Sequence, residues 1–257
     1  MARARDKSPN FWRGLIALMV LSIFGLFALI AFNAPPAIAE DTACRLDRQD
    51  PAHTVMLIDQ SDPFNPNDFG WVREFMDVEA RRLPKYGRLT VITPNSQSPY
   101  DPVYVYAKCS PGSVEDANPI LQNPRMIDDT WRERFYEPLR DSVESTLTDS
   151  EQPSSPLSEA IYAVLDRADF QPGQKNRRFV IVSDLMQHSD SFSFYRSGAD
   201  YQGFGETRLA QQIPGMEGVD VVARIVPRQT YDLPMTDVKT FWASYFGDAG
   251  ATYTSVN

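Results

Sequence analysis

Two apolar runs constrain the fold of this chain more than any other feature. Val55-Met56-Leu57-Ile58, entered through Thr54, and Phe179-Val180-Ile181-Val182, entered through Arg178, are continuous rather than alternating. A strand reads this way when both of its faces are covered, as in a parallel sheet between two layers of helices. The first run exits into Asp59-Gln60-Ser61 and the second into Ser183-Asp184, and ligand sites in open α/β sheets collect at the carboxyl ends of strands. Between them, Ser154-Ser155-Pro156-Leu157 opens an amphipathic helix. Three loops thus bring two carboxylates and two or three hydroxyls toward one sheet edge, an all-oxygen donor set suited to Mg²⁺, Mn²⁺ or Ca²⁺. The same residues also have the form of turn and cap formers: Ser155 ahead of Pro156 reads as an N-cap with proline at the first helical position, and Asp59 as an Asx-turn.

The rest of the chain continues the alternation. Val72, Phe75, Met76 and Leu83 recur at helical spacing up to Pro84, and residues 88–93 and 102–107 read as strands around a turn rich in Pro, Asn and Ser. Ser110 to Pro124 has no period and reads as a long loop. Trp131, Phe135, Leu139, Val143 and Leu147 mark a helix that Pro138 is expected to kink. Leu157, Ile161, Val164, Leu165 and Ala168 give the next helix, the one Ser155 would cap. Residues 187–206 show no clear period yet contain Phe192, Phe194, Tyr195, Tyr201 and Phe204; Leu209-Ala210 belongs to a short helix. Residues 219–226 form a strand, Val238, Phe241, Trp242 and Tyr245 stripe a closing helix, and 252–256 reads as a last edge strand. Residues 53–257 are enough for one α/β domain and short for two.

The N-terminal segment is of another kind. No charge occurs from Gly14 to Ala39, and Leu15 to Phe32 is apolar but for Ser22 and Gly25, enough helix to cross a hydrocarbon core of about 30 Å. Arg3, Arg5, Lys7 and Arg13 precede it while Glu40 and Asp41 follow, so the positive-inside rule places the N-terminus in the cytoplasm and the domain outside. Ala37-Ile38-Ala39 fits a signal-peptidase pattern as well, but the apolar stretch exceeds the 7 to 15 residues usual for a signal peptide, which favours an uncleaved anchor. The expected organisation is a basic tail (1–13), an anchor (14–33), a polar tether (34–52) and the α/β domain (53–257). The expected location is the inner (cell) membrane with a periplasmic or extracellular domain, and the absence of an Asn-x-Ser/Thr sequon fits a bacterial periplasm better than a secretory lumen. The net charge is -9, and because the first thirteen residues carry +3, the remainder carries -12; a nucleic-acid partner is therefore not expected.

The Asp and Ser constellation resembles the von Willebrand factor A domain with its metal ion-dependent adhesion site. That family carries D-x-S-x-S after its first strand, a Thr in a T-P-L-like helix start, and an Asp in an S-D-G-like turn after the fourth strand. Asp59 and Ser61 match the first two ligands, Ser155 stands in place of the Thr, and Asp184 matches the distal Asp. Pro63 replaces the last serine and removes one side-chain oxygen, leaving that position to Asp62 or water, and Leu185 replaces the glycine after the distal Asp. The resemblance implies a Rossmann-like α/β sandwich: a mostly parallel central sheet with one antiparallel edge strand, to which Pro102 is suited, and helices on both faces. It implies Mg²⁺ or Mn²⁺, with Ca²⁺ as an alternative, on Asp59, Ser61, Ser155 and Asp184. In the implied strand order the end of the edge strand near Cys109 shares a sheet edge with the start of the first strand, within reach of Cys44. These are the chain's two cysteines, and both belong to the part expected outside the cytoplasm, where an oxidising compartment favours a disulfide over two thiols; one Cys44–Cys109 bridge is expected.

Catalytic signals are thin. His53 and His188 are the two histidines; His53 stands at the start of a strand, away from the site, and reads as a packed side chain, while His188 follows Asp184 closely enough to approach it. No nucleophile elbow, zincin helix, P-loop or dinucleotide fingerprint occurs. The expected function is a membrane-tethered, non-enzymatic module whose cation binds an acidic group of a protein partner in the membrane or periplasm, with Phe192, Phe194 and Tyr195 as contact residues on a face formed by loops 61–68, 94–101 and 187–205. The alternatives are a metal-dependent hydrolase with His188 as base, and a scaffold with a degenerate site.

Overall fold

A computed structural model describes residues 9–32, 35–49, 51–61, 64–118, 122–149, 152–174, 176–226 and 233–256. The chain divides into two compact units, Met1–Ala37 and Ile38–Asn257. In the first, helix α1 (Pro9–Phe32) begins ahead of the expected Gly14 and is long and apolar enough over Asn10–Leu29 to cross a membrane. Its large apolar side chains, among them Leu18, Leu21, Phe24 and Phe27, are exposed within the unit.

The second unit is built on one six-stranded sheet: β1 (His53–Ile58), β2 (Arg88–Thr93), β3 (Val103–Cys109), β4 (Arg177–Ser183), β5 (Val219–Ile225) and β6 (Thr252–Val256). The order is β3-β2-β1-β4-β5-β6, with β3 antiparallel and every other pairing parallel. The helices are α2 (Pro66–Arg82), α3 (Pro124–Trp131), α4 (Glu137–Asp149), α5 (Leu157–Leu165), α6 (Phe194–Ser197), α7 (Tyr201–Gly205) and α8 (Met235–Asp248). Strand period 2 sorts the two apolar runs between two cores. Val55, Leu57, Phe179 and Ile181 face a core with residues of α5, α6, α7 and α8, while Met56, Ile58, Val180 and Val182 face one with residues of α2, α3 and α4. Each fully buried aliphatic side chain contributes roughly 1.5–3 kcal/mol, which is why the central strands carry no polar residue between Val55 and Ile58.

Three local differences from the sequence-based expectation have physical causes. The helix marked from Trp131 starts earlier, at the Pro124 where the expected loop ends: Asn123 caps α3 by accepting a hydrogen bond from Arg125 N (3.1 Å), with Pro124 in the first turn. The kink expected at Pro138 takes the form of a π-helical turn, Arg132–Tyr136, joining α3 to α4; a proline lacks the N–H for the ordinary ladder, and the wider turn absorbs that loss. The segment expected as tether is folded from Ile38 onward: Ala39 N donates to Cys44 O (2.8 Å), Cys109 N donates to Thr42 O (2.8 Å), and a Cys44–Cys109 disulfide fixes this turn to the end of β3.

Candidate functional site

Strand order reverses direction between β1 and β4, because the chain runs outward to β2 and β3 on one side and to β5 and β6 on the other. Such a switch point opens a crevice at the carboxyl ends of the two strands. Asp59 leaves β1 there, with its N–H bonded to Val182 O (2.9 Å), and Ser183 and Asp184 leave β4 beside it.

Asp59 is buried, and three donors converge on its carboxylate. Ser155 Oγ and Ser183 Oγ donate to Oδ2 at 2.7 and 2.8 Å, and Ser61 N donates to Oδ1 at 3.0 Å. Burial pushes the Asp59 carboxyl above the ordinary carboxylate range, against the opposing pull of hydrogen bonds from Ser155, Ser183 and Ser61. Asp184, also buried, accepts from Met186 N at 2.9 Å. Of the expected residues, Asp59, Ser61 and Ser155 are thus joined directly, and Asp184 lies next in sequence to Ser183, which joins them. Asp62 and Pro63 lie outside the described residues.

Ser155 does not cap α5. The cap position is Pro156, without a side-chain bond, and the N–H of Ser158 is satisfied instead by Gln187 Oε1 at 2.9 Å. Gln187 comes from the loop after β4 and is buried; its Nε2 donates to Glu159 Oε2 (3.1 Å) and Ser189 Oγ (3.2 Å). By serving a backbone donor that a local Ser usually serves, it leaves the Ser155 hydroxyl for Asp59. Neither Ser183 nor Gln187 was singled out from sequence. Ser183 had a signal, its place at the strand exit beside Asp184; Gln187 had none, since Ser158 and Glu159, the residues it serves on α5, are distant in sequence.

Leu185 occupies the left-handed region with φ 65°, a conformation that costs a non-glycine residue roughly 1–2 kcal/mol. Its side chain is fully buried, its N–H donates to Ser183 Oγ (2.8 Å), and its carbonyl accepts from Trp242 Nε1 (2.9 Å). The turn thus keeps a glycine-like backbone while the leucine fills the core.

An open depression of about 530 Å³ adjoins the cluster, lined by Ser61, Gln152, Ser155, Met186, His188 and Tyr195. His188 is held to it by its backbone N–H on Ser155 O (2.8 Å), with ring Nδ1 2.9 Å from Ser193 Oγ. The β2–β3 turn reaches the same edge, since Ser96 Oγ donates to Gln152 Oε1 (2.5 Å) and Gln152 N to Gln60 O (3.1 Å). The expected contact residues separate. Phe192 and Phe194 are buried, packed against Phe204, Phe241 and Trp242, so neither ring is exposed on the loop face expected to contact a partner; Tyr195, 54% exposed, remains at the depression. Aromatic rings that can reach α8 gain more by burial than by facing water. His53 is packed at the opposite end of the sheet, as its position on β1 implies.

No family model matches the chain, and no curated protein matches it. Among solved structures the chain is similar to the pilus adhesin SpaC from Lactobacillus rhamnosus GG in an open conformation, with 9% identity, a TM-score of 0.44, and coverage of 81% of this chain and 28% of the adhesin. It is also similar to the N-terminal domain of TFIIH p34, with 10% identity, a TM-score of 0.34, and coverage of 81% of this chain and 92% of that one. The chain therefore spans under a third of the adhesin's length.

The donor set at the switch point is oxygen only: two carboxylates and the hydroxyls of Ser61, Ser155 and Ser183. Such donors fit a hard divalent cation and not a thiophilic one. Among the described residues no group of three or more His, Cys, Asp or Glu gathers in a metal-holding arrangement, so a cation here would rely on hydroxyls and water beyond the two carboxylates.

Proposed function

We propose that this chain is a membrane-tethered, extracytoplasmic binding module similar to the von Willebrand factor A domain. In this reading Asp59, Ser61, Ser155 and Asp184 hold Mg²⁺ or Mn²⁺, with Ca²⁺ as an alternative, and the cation supplies an electrophilic position for an acidic group of a protein partner. The observation that carries the reading is the convergence of Ser155 and Ser183 on the buried Asp59, beside Asp184, at the mouth of an open depression. Burial of a carboxylate is costly unless a charge compensates it, and a cation at this place does so. Tyr195 and His188 at the rim supply contact surface around the acidic group. Helix α1 supports the anchor, and the disulfide supports an oxidising compartment outside the cytoplasm.

The test uses the full chain in a nonionic detergent. Mg²⁺ or Mn²⁺ should raise its melting temperature in a concentration-dependent way, because binding to the native state alone adds RT ln(1 + [L]/Kd). Asp59→Ala and Asp184→Ala should each abolish that response. A wild-type melting temperature indifferent to both metals refutes the reading. His188 in the same depression favours one second reading, a metal-dependent hydrolase; metal-dependent turnover of a phosphate or ester panel that His188→Gln abolishes would establish it instead.

A further inference from the structure

A cavity larger than the depression beside Asp59 lies at the other end of the sheet. It has a volume of about 1000 Å³ and opens at the amino ends of the parallel strands, between the Cys44–Gln49 turn and the Arg167–Gln174 loop. Its lining includes Arg45, Arg48, Arg88 and Arg167 against one carboxylate, Asp169. In a domain whose overall charge is strongly negative, four guanidinium groups around one cavity are a local reversal of sign.

The pairing leaves positive charge over. Arg167 holds Asp169 in a two-point bridge (Nε–Oδ1 2.7 Å, Nη2–Oδ2 2.6 Å), and Arg88 Nη2 reaches the same Oδ2 at 3.2 Å, so two cations share one anion. Arg88 Nε is buried without a hydrogen-bond partner. Arg45 is paired with Asp47, whose carboxylate also accepts from Gln49 N (3.1 Å). Arg48, between them, is exposed and has no ion-pair partner among the described residues. Its backbone is held in the left-handed region, φ 56°, in a turn whose neighbour Cys44 is fixed by the disulfide. Strain of this kind persists where surrounding structure over-determines it, and it gathers at ligand sites.

We propose that this cavity binds a phosphate-bearing anion, with Arg48 as its principal ligand and Arg45, Arg88 and Arg167 completing the positive wall. A guanidinium presents paired N–H donors that match the oxygens of phosphate, and the surplus of cations over carboxylates favours a group with charge above a single carboxylate. The cavity exceeds what a bare phosphate fills, so the group is carried on a larger molecule. Two sources present this chemistry: a soluble phosphorylated compound, and the phosphodiester headgroup of an anionic lipid.

The experiment measures phenylglyoxal modification of Arg45 and Arg48 by mass spectrometry on the full chain. One arm, in nonionic detergent, compares inorganic phosphate with chloride at equal ionic strength. The other, without phosphate, compares nanodiscs containing phosphatidylglycerol with nanodiscs of phosphatidylcholine alone. Modification of both residues should slow by roughly tenfold once the anion is at about ten times its Kd. Slowing in detergent assigns a soluble source, and slowing confined to phosphatidylglycerol assigns the headgroup. Arg48→Gln, an exposed substitution, should remove the protection of Arg45, and Asp59→Ala should leave protection unchanged, which separates this site from the cation site. No slowing in either arm, or protection of Arg45 that survives Arg48→Gln, overturns the proposal.

Discussion

Ser155 Oγ lies 2.7 Å from Asp59 Oδ2 across a sequence separation of 96 residues, and both are buried. A hydroxyl spent in this way is lost to helix capping, and the fold supplies the cap from Gln187 instead. Ser155→Ala should therefore leave α5 in place and act on Asp59, lowering stability by about 1–3 kcal/mol through the lost donor. Ser155→Thr keeps the hydroxyl and should retain most of that stability together with any response to Mg²⁺. Thermal melts of the two variants with and without metal check this; equal losses for Ala and Thr would show that the hydroxyl is not what matters.

Gln187 gives a complementary prediction. Its Oε1 accepts from Ser158 N and its Nε2 donates to Glu159 Oε2, so the amide is oriented by both ends. Gln187→Ala should cost on the order of 2 kcal/mol, from one unsatisfied helical N–H and one stripped carboxylate oxygen. Gln187→Glu keeps the acceptor but sets a second carboxylate against Glu159 in the interior, and should destabilise more than Ala does. Denaturant or thermal unfolding ranks the three proteins, and a Glu variant more stable than the Ala variant would contradict this arrangement.

These two residues mark the limit of what was legible in the sequence. The central strands were legible because burial on both faces leaves an unbroken apolar run, and Asp59, Ser155 and Asp184 because they sit at the exits and helix start that such strands define. Gln187 was not, because its bonds to Ser158 and Glu159 are tertiary. The aromatic residues of 187–206 were legible as aromatic but not as core: α6 and α7 are about one turn each, too short for a 3.6-residue period to show. The start of α3 at Asn123-Pro124 carried a cap signal that the loop-like composition around it concealed.

Phe194 and Tyr195 are neighbours with opposite fates, 3% and 54% exposed. Phe192→Ala and Phe194→Ala should each lower stability by about 3–5 kcal/mol, the usual cost of emptying a buried aromatic site. Tyr195→Ala should stay within about 0.5 kcal/mol of wild type and, under the proposed function, weaken partner capture. A large stability loss for Tyr195→Ala would place its ring in the core instead.

The Cys44–Cys109 bridge closes a loop with a sequence separation of 65 and ties the turn before β1 to the edge strand β3. Cross-links of this kind typically add about 2–4 kcal/mol. Cys44→Ser with Cys109→Ser, or reduction of the wild type, should lower the melting temperature accordingly and loosen the 38–49 segment, read as faster amide hydrogen exchange there. Unchanged exchange and melting on reduction would mean that the hydrogen bonds of this turn suffice without the bridge.

His53 makes the acid dependence of stability specific. Its ring is fully buried; Nδ1–H donates to Asp169 O (2.8 Å), which leaves Nε2 to accept from the Thr90 hydroxyl (3.0 Å), so the fold holds the neutral imidazole. Burial is the main cause that lowers its pKa to about 4 from an ordinary 6.5, opposed by the hydrogen bond to Asp169. Because the unfolded chain takes up this proton first, the folded state loses stability as pH falls from about 6.5 toward 4, by up to about 3 kcal/mol from this group alone. Above pH 6.5 both states are neutral and the group contributes no slope. His53→Gln offers an amide donor and acceptor without a titrating proton and should flatten the decline in melting temperature over that window, leaving the steeper carboxylate-driven fall below pH 4 in place. Parallel slopes for the variant and the wild type between pH 6.5 and 4 would show that the buried imidazole does not couple folding to protons.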